Sequence, residues 1–188
     1  MVSYFPRVGP TQSIGDVMPD VQLPLVAGGG VTLSGRLRER RGAVVLFWSA
    51  GCAHCVRYDG YLNSFEQRHP DIALIAVAAR RTETIDQIRL TVAERGLDFP
   101  LAYGGDAGTA TAWIAPQTPR AYLVDRDRAL VYRGAIDNYK YETDPAHAAY
   151  LEPALNDFRH GRPLARPDTP SFGCAIESVY YLLPKITR

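Results

Sequence analysis

The chain predicts an α/β fold: one mixed central sheet with helices on both faces, an N-terminal β-hairpin in front and a C-terminal extension behind. Three observations predict it. Ala43–Trp48 and Ile72–Val77 are uniformly apolar and rich in β-formers, the pattern of strands buried on both faces. Each is followed by a helical stripe, which requires a parallel crossover. Ala121–Asp125 and Leu130–Arg133 flank a turn at Asp127 and read as an antiparallel pair. A single mixed sheet satisfies both requirements.

The elements follow in order. Val21–Leu25 alternates, Gly28-Gly29-Gly30 turns the chain, and Val31–Leu33 returns, so a short hairpin is expected. Leu33–Arg41 is a brief charged helix or turn. Tyr58, Tyr61, Leu62 and Phe65 repeat at i, i+3, i+4, i+7 and predict one helix after the first buried strand. Thr84 and Gln87 can form a capping box for a second helix that carries Ile85, Ile88 and Val92 and ends near Gly96. Asp106 is a candidate cap for a short helix through Trp113. Asp144-Pro145 reads as a cap followed by a first-turn proline, ahead of the stripe Leu151, Ala154, Leu155, Phe158. The boundaries drawn are an arm over 1–14, a domain over 15–162 and an extension over 163–188 that carries Cys174.

Composition narrows function. Lys and Arg number 21 against 20 Asp and Glu, so a general nucleic-acid binder is disfavoured. No apolar run approaches the roughly 18 residues that a membrane span needs. The first ten residues lack a basic start followed by an apolar core, so a cytoplasmic protein is expected, or an extracytoplasmic one whose leader has been removed. Three cysteines are too few for a disulfide scaffold.

Two of those three stand as Cys52-Ala53-His54-Cys55, between a buried strand and a helix. A sulfur at a helix start is favoured as an anion, so Cys52 is the candidate attacking thiol, expected to be accessible. Cys55, one turn on, is the candidate resolving thiol. His54 is a candidate for tuning the couple towards oxidation by favouring the Cys52 thiolate; alternatively it is a solvent-facing helix residue. Zinc would want four nitrogen or sulfur ligands, and only Cys174 and the scattered His69, His147 and His160 remain. A space-filling role for the pair is the plain alternative to redox chemistry.

With these residues in view, the chain resembles the thioredoxin superfamily, in particular the redoxin branch of TlpA/ResA-like oxidoreductases and AhpC/TSA-like peroxidases. The resemblance runs over about residues 15–160. It rests on Gly15–Pro24 as the entry segment, Phe47–Cys55 as the active-site motif, Gln117–Asp125 with its Thr118-Pro119, and Arg133–Asp137, in that order. It implies a cis bond before Pro119, facing the cysteines. The backbone of Thr118 would then be free to pair with a bound peptide. Trp48, Thr118 and Pro119 are thereby candidate substrate-binding residues, with Trp48 walling the site.

The chain also departs from that family. Ser49 stands three before Cys52 where the peroxidase pattern has Thr, and no proline precedes it in the expected place. The strand Ala43–Trp48 holds no buried carboxylate to relay protons to the second cysteine. Gly173-Cys174-Ala175-Ile176 lies past the usual domain end. Cys174 is a candidate third redox thiol, or a small residue anchoring the tail under Tyr180 and Tyr181.

The expected activity is thiol–disulfide exchange with protein thiols through Cys52 and Cys55, served by a separate thiol reductant or oxidant. Neither an organic cofactor nor a metal is required. The alternatives are a thiol peroxidase using Cys52 and a non-catalytic binding module on the same fold.

Overall fold

A computed structural model describes residues 12–139 and 143–176. Most of the expected arm and the tail beyond Ile176, with Tyr180 and Tyr181, lie outside these residues. The hairpin is β1 (Gln22–Pro24) and β2 (Gly30–Thr32), paired antiparallel. Gly28 and Gly29 take φ of 106° and 76° in its turn, where a side chain would be strained. Thr32 caps α1 (Leu33–Leu37) by accepting from the Gly35 N–H at 3.0 Å.

The central sheet is formed by β3 (Gly42–Trp48), β4 (Ile72–Ala78), β5 (Leu101–Tyr103), β7 (Arg120–Asp125) and β8 (Leu130–Gly134), in the order β5-β4-β3-β7-β8. Pairs β3–β4 and β4–β5 are parallel; β3–β7 and β7–β8 are antiparallel. The mixed sheet inferred from the sequence is therefore present. Every residue of β3 and β4 is buried, which is why neither strand alternates.

The faces of β3 sort by parity. Val44, Leu46 and Trp48 join a core with Leu62, Phe65, Ile88, Leu151 and Leu155. Ala43, Val45 and Phe47 join the opposite core with Val31, Leu33, Leu37, Trp113 and Tyr122. In that second core Phe47, Trp113 and Tyr122 meet edge-on or tilted at 5.4–6.3 Å between ring centres, worth about 0.5–1.5 kcal/mol a pair beyond area burial.

Four local expectations need revision. The single helix after β3 is three pieces, α2 (Ala53–Val56), α3 (Asp59–Asn63) and α4 (Phe65–Arg68). At the joint the Ser64 hydroxyl bonds back to the Gly60 and Tyr61 carbonyls beside the backbone N–H. Strand β5 was not anticipated; three residues between Pro100 and Gly104 are too few to show a period. Asp144 organises a turn, accepting from the Ala146 N–H at 2.9 Å, and the helix α7 (Leu151–Arg159) starts seven residues later. Two further short strands, β6 (Gln117–Thr118) and β9 (Cys174–Ala175), pair with each other.

Helix α5 (Ile85–Arg95) matches expectation, with the Thr84/Gln87 capping box and Gly96 left-handed at its end. Before β6, a one-turn helix α6 (Gly108–Ala112) carries Trp113 into the second core.

The extension is bonded to the domain. After α7 the chain crosses the edge of β8. Arg133 pairs with Asp168 at 2.6 Å, and the Thr169 hydroxyl meets the Tyr132 hydroxyl at 2.7 Å. The close passage needs Gly134, whose φ is 146° and where a Cβ would meet Thr169 Oγ1 at 2.0 Å. Gly134→Ala is expected to destabilise the protein by about 2–3 kcal/mol through backbone strain and overpacking. Urea unfolding checks it: the midpoint should fall with the slope unchanged.

Candidate active site

The cysteine pair hangs from the end of β3. Ser49, Ala50 and Gly51 leave the strand, Cys52 is the N-cap of α2, and Cys55 lies within the helix. Two charged groups hold that loop. The buried Glu83 carboxylate accepts from the Ser49 hydroxyl at 2.5 Å, the Gly51 N–H at 2.9 Å and the Ala50 N–H at 3.3 Å. Arg95 donates to the Ala50 carbonyl at 2.7 Å and reaches Asp59 at 3.4 Å. Asp59 in turn accepts from the Trp48 indole N–H at 3.1 Å. A carboxylate on each side thus fixes where β3 ends and α2 begins.

Opposite stands the Thr118–Pro119 peptide, which is cis. The β3–β7 register brings it there, with Phe47 opposite Arg120. Thr118 is fully buried, and its carbonyl oxygen lies 3.3 Å from Cys52 Sγ. Strand β9 closes the site from outside, Cys174 facing Thr118 and Ala175 facing Gln117 in an antiparallel register.

The accessible Cys52 expected from the sequence is therefore not found. It has 0% of its surface exposed, because the C-terminal strand lies over the groove where open solvent was expected. All three thiols are free.

The thiols form one electrostatic unit. Cys52 is held far below the ordinary thiol range, to about 4, first by a hydrogen bond from the Cys55 thiol. Burial opposes this; donors from the Cys174 thiol, the Thr118 hydroxyl and the Cys174 backbone N–H add to it. The contact with the Thr118 carbonyl favours the protonated sulfur, but four donors to one sulfur outweigh it. Cys55 moves the other way, pushed far up by burial and then by donating to the Cys52 thiolate. Cys174 rises to about 11 from desolvation, then from the same bond and charge.

Cys52 stands at the N-cap of the four-residue α2 as expected, and neighbouring thiols and Thr118 add donors of their own. His54 is exposed on α2, its Nδ1 3.2 Å from Arg57 Nη2. It lines a shallow groove with Tyr58, Pro119, Ile136, Tyr139 and Phe172. Trp48, expected to wall the site and touch substrate, is fully buried and packs edge-on against Phe99, 6.2 Å between ring centres; it supports the site from beneath.

No carboxylate lies within β3 itself. Glu83 and Asp59 come from after β4 and from α3. Their only sequence signal was an acidic residue beside a helix start. Among the described residues no cluster of three His, Cys, Asp or Glu side chains could hold a metal ion, and no helix is long and apolar enough to cross a membrane.

A mixed sheet, a cysteine pair at the end of its central strand and a cis-proline facing it define a thioredoxin-like α/β protein. The chain belongs to the Redoxin family, whose model matches residues 13–151. Among solved structures it is similar to a hypothetical protein, SMc02350, from Sinorhizobium meliloti, at 24% identity and TM-score 0.76 over 90% of this chain and 96% of that one. It is also similar to a secreted disulfide oxidoreductase of Mycobacterium tuberculosis homologous to E. coli DsbE (14%, TM-score 0.54, 74% and 95% covered). The peroxidoxin BcpB of Mycobacterium tuberculosis is a third (17%, TM-score 0.61, 81% and 99% covered). No curated protein matches. Family membership supports thiol-based oxidoreductase chemistry in general, disulfide exchange and peroxide reduction alike.

Two outcomes follow from the electrostatics. The folded Cys52 pKa is depressed, so between about 4 and the ordinary thiol value the unfolded chain holds a proton that the folded protein does not. Stability from this group is present above that window and is lost as pH falls through it. The stability gap between the reduced wild type and Cys52→Ser should narrow as pH is lowered from neutral to about 4, measured by urea unfolding; a constant gap refutes the assignment. Glu83→Ala leaves the Ala50 and Gly51 N–H groups without their acceptor and should cost about 1–3 kcal/mol. Glu83→Gln, which keeps one acceptor oxygen, should recover part of it.

Proposed function

We propose that the protein is a thiol–disulfide oxidoreductase that exchanges disulfides with protein thiols through Cys52 and Cys55. The observation that carries this is the placement of Cys52 Sγ 3.3 Å from the Thr118 carbonyl at the cis peptide before Pro119, with Cys55 one helical turn on; the lowered Cys52 pKa supports a nucleophile beside its resolving group.

In the reducing direction Cys52 thiolate attacks a target disulfide. One target sulfur leaves as thiolate and the other stays bonded to Cys52. Cys55 then attacks Cys52 Sγ, its proton passes to the departing target sulfur, and the Cys52–Cys55 disulfide forms. A separate thiol donor supplies the two electrons that regenerate the dithiol. Stabilising the Cys52 thiolate favours the reduced form and tilts the couple towards oxidation of targets. Target thiols and disulfides and a thiol redox partner are the partners this chemistry needs.

Peroxide reduction by Cys52 is the rival. The Ser49 hydroxyl is committed to Glu83, away from the sulfur, which favours disulfide exchange.

The test is reduction of a disulfide-bonded protein by the dithiol form. Cys52→Ser should abolish it, and Cys55→Ser should slow turnover by at least about tenfold. Peroxide consumption as fast as disulfide exchange would select the peroxidase. A pair that exchanges with neither a small dithiol nor peroxide would leave a binding module.

A further inference from the structure

The active-site groove is already occupied, by the chain itself. Strand β9 pairs with β6 at the cis-proline, the backbone edge that an extended target would use. Specific contacts hold it there. Ile176 is fully buried in the second core and its N–H donates to the Pro116 carbonyl at 2.8 Å. The Gln117 amide donates to the Ser171 carbonyl and Arg120 to the Ser171 hydroxyl at 2.7 Å. Gly173 passes so close that a Cβ there would come within 1.8 Å of the Thr118 carbonyl oxygen and 3.2 Å of Pro119 Cδ. Opposite Thr118, this strand carries a thiol, that of Cys174, within hydrogen-bonding reach of Cys52.

We propose that Cys174 is a third exchanging thiol, carried by a tethered strand that competes with the target for the backbone of Thr118 and resolves the mixed disulfide on Cys52. This rests on Cys52 being the attacking thiol, as above. Because Cys52 has no exposed surface, a target reaches it only when β9 lifts. Two paired residues make that a local opening, small beside global unfolding. Once the mixed disulfide has formed, β9 re-pairs with Thr118 and the Cys174 sulfur attacks Cys52 Sγ.

The step balances: Cys174–SH and Cys52–S–S–target give Cys52–S–S–Cys174 and a target thiol, which takes the proton. Attack by Cys55 on Cys52 Sγ then gives Cys52–S–S–Cys55 and returns Cys174 as a thiol, with no net electron transfer. The target is expelled twice over, as a sulfur and as a strand. Of the two resolving candidates Cys174 is the less buried and the more readily deprotonated.

The test uses full-length Cys55→Ser protein, oxidised glutathione as the probe and mass mapping of every disulfide. Cys55→Ser should form Cys52–Cys174 and retain little glutathione. Cys55→Ser/Cys174→Ser should accumulate glutathione on Cys52 at least about tenfold more. Cys55→Ser/Gly173→Val keeps both sulfurs but blocks docking of β9, and should behave like the Cys174 variant. Glutathione persisting on Cys52 in Cys55→Ser with Cys174 free overturns the inference alone. A Cys52–Cys174 bond that still forms in the Gly173 variant overturns the tethered-strand role. Absence of any adduct on Cys52 in Cys55→Ser/Cys174→Ser overturns the proposed function and this inference with it.

Discussion

The antiparallel register between β3 and β7 carries the site. With Leu46 opposite Ala121 and Phe47 opposite Arg120, the end of β3 lies beside the start of β7, so the loop bearing Cys52 faces Thr118 and Pro119. Strand side chains alternate, and a slip of one residue would exchange the two cores of β3 and send Trp48 to the face of Phe47. That slip is resisted from both sides, since Trp48 is tied to Asp59 and Phe47 is packed among Trp113 and Tyr122. The geometry of the cysteine site is thus set by packing remote from any sulfur.

A buried anion is costly, and the site meets that cost with neighbours whose own protons become harder to remove. Burial first, and then the Cys52 bond and charge, push Cys55 and Cys174 up, while their donors and the Thr118 hydroxyl lower Cys52. In the proposed exchange, bonding Cys52 to a target would remove the charge and with it part of what held the other two protons. Attack by the first sulfur would therefore prime the next one. Glu83 and Arg95 hold the loop that carries Cys52.

Residues 163–176 belong to the folded unit. They contribute two buried side chains, Thr169 and Ile176, an ion pair to β8 and a strand over the groove. Their contacts are mostly polar and few of their side chains are buried, so the opening proposed above need not disturb the sheet. Thr169 and Gly134 fasten it at β8, between α7 and the groove.

Much of the framework was legible in one dimension. The apolar runs of β3 and β4, the capping box of α5 and the stripe of α7 are local patterns with local causes, and they formed as read. So did the spacing of Cys52 and Cys55, since one helical turn follows from chain geometry. Other features depend on partners distant in sequence. Three residues of β5 and two each of β6 and β9 acquire identity as strands only from the strands beside them. Glu83 meets Ser49 across 34 residues and Cys174 meets Thr118 across 56. Periodicity reports which face of an element is apolar, but burial of a sulfur and the lowering of its pKa depend on what the rest of the chain brings against it. The sequence by itself determined the sheet and the cysteine pair; only the tertiary structure decided that the extension covers the pair and that its donors are other thiols.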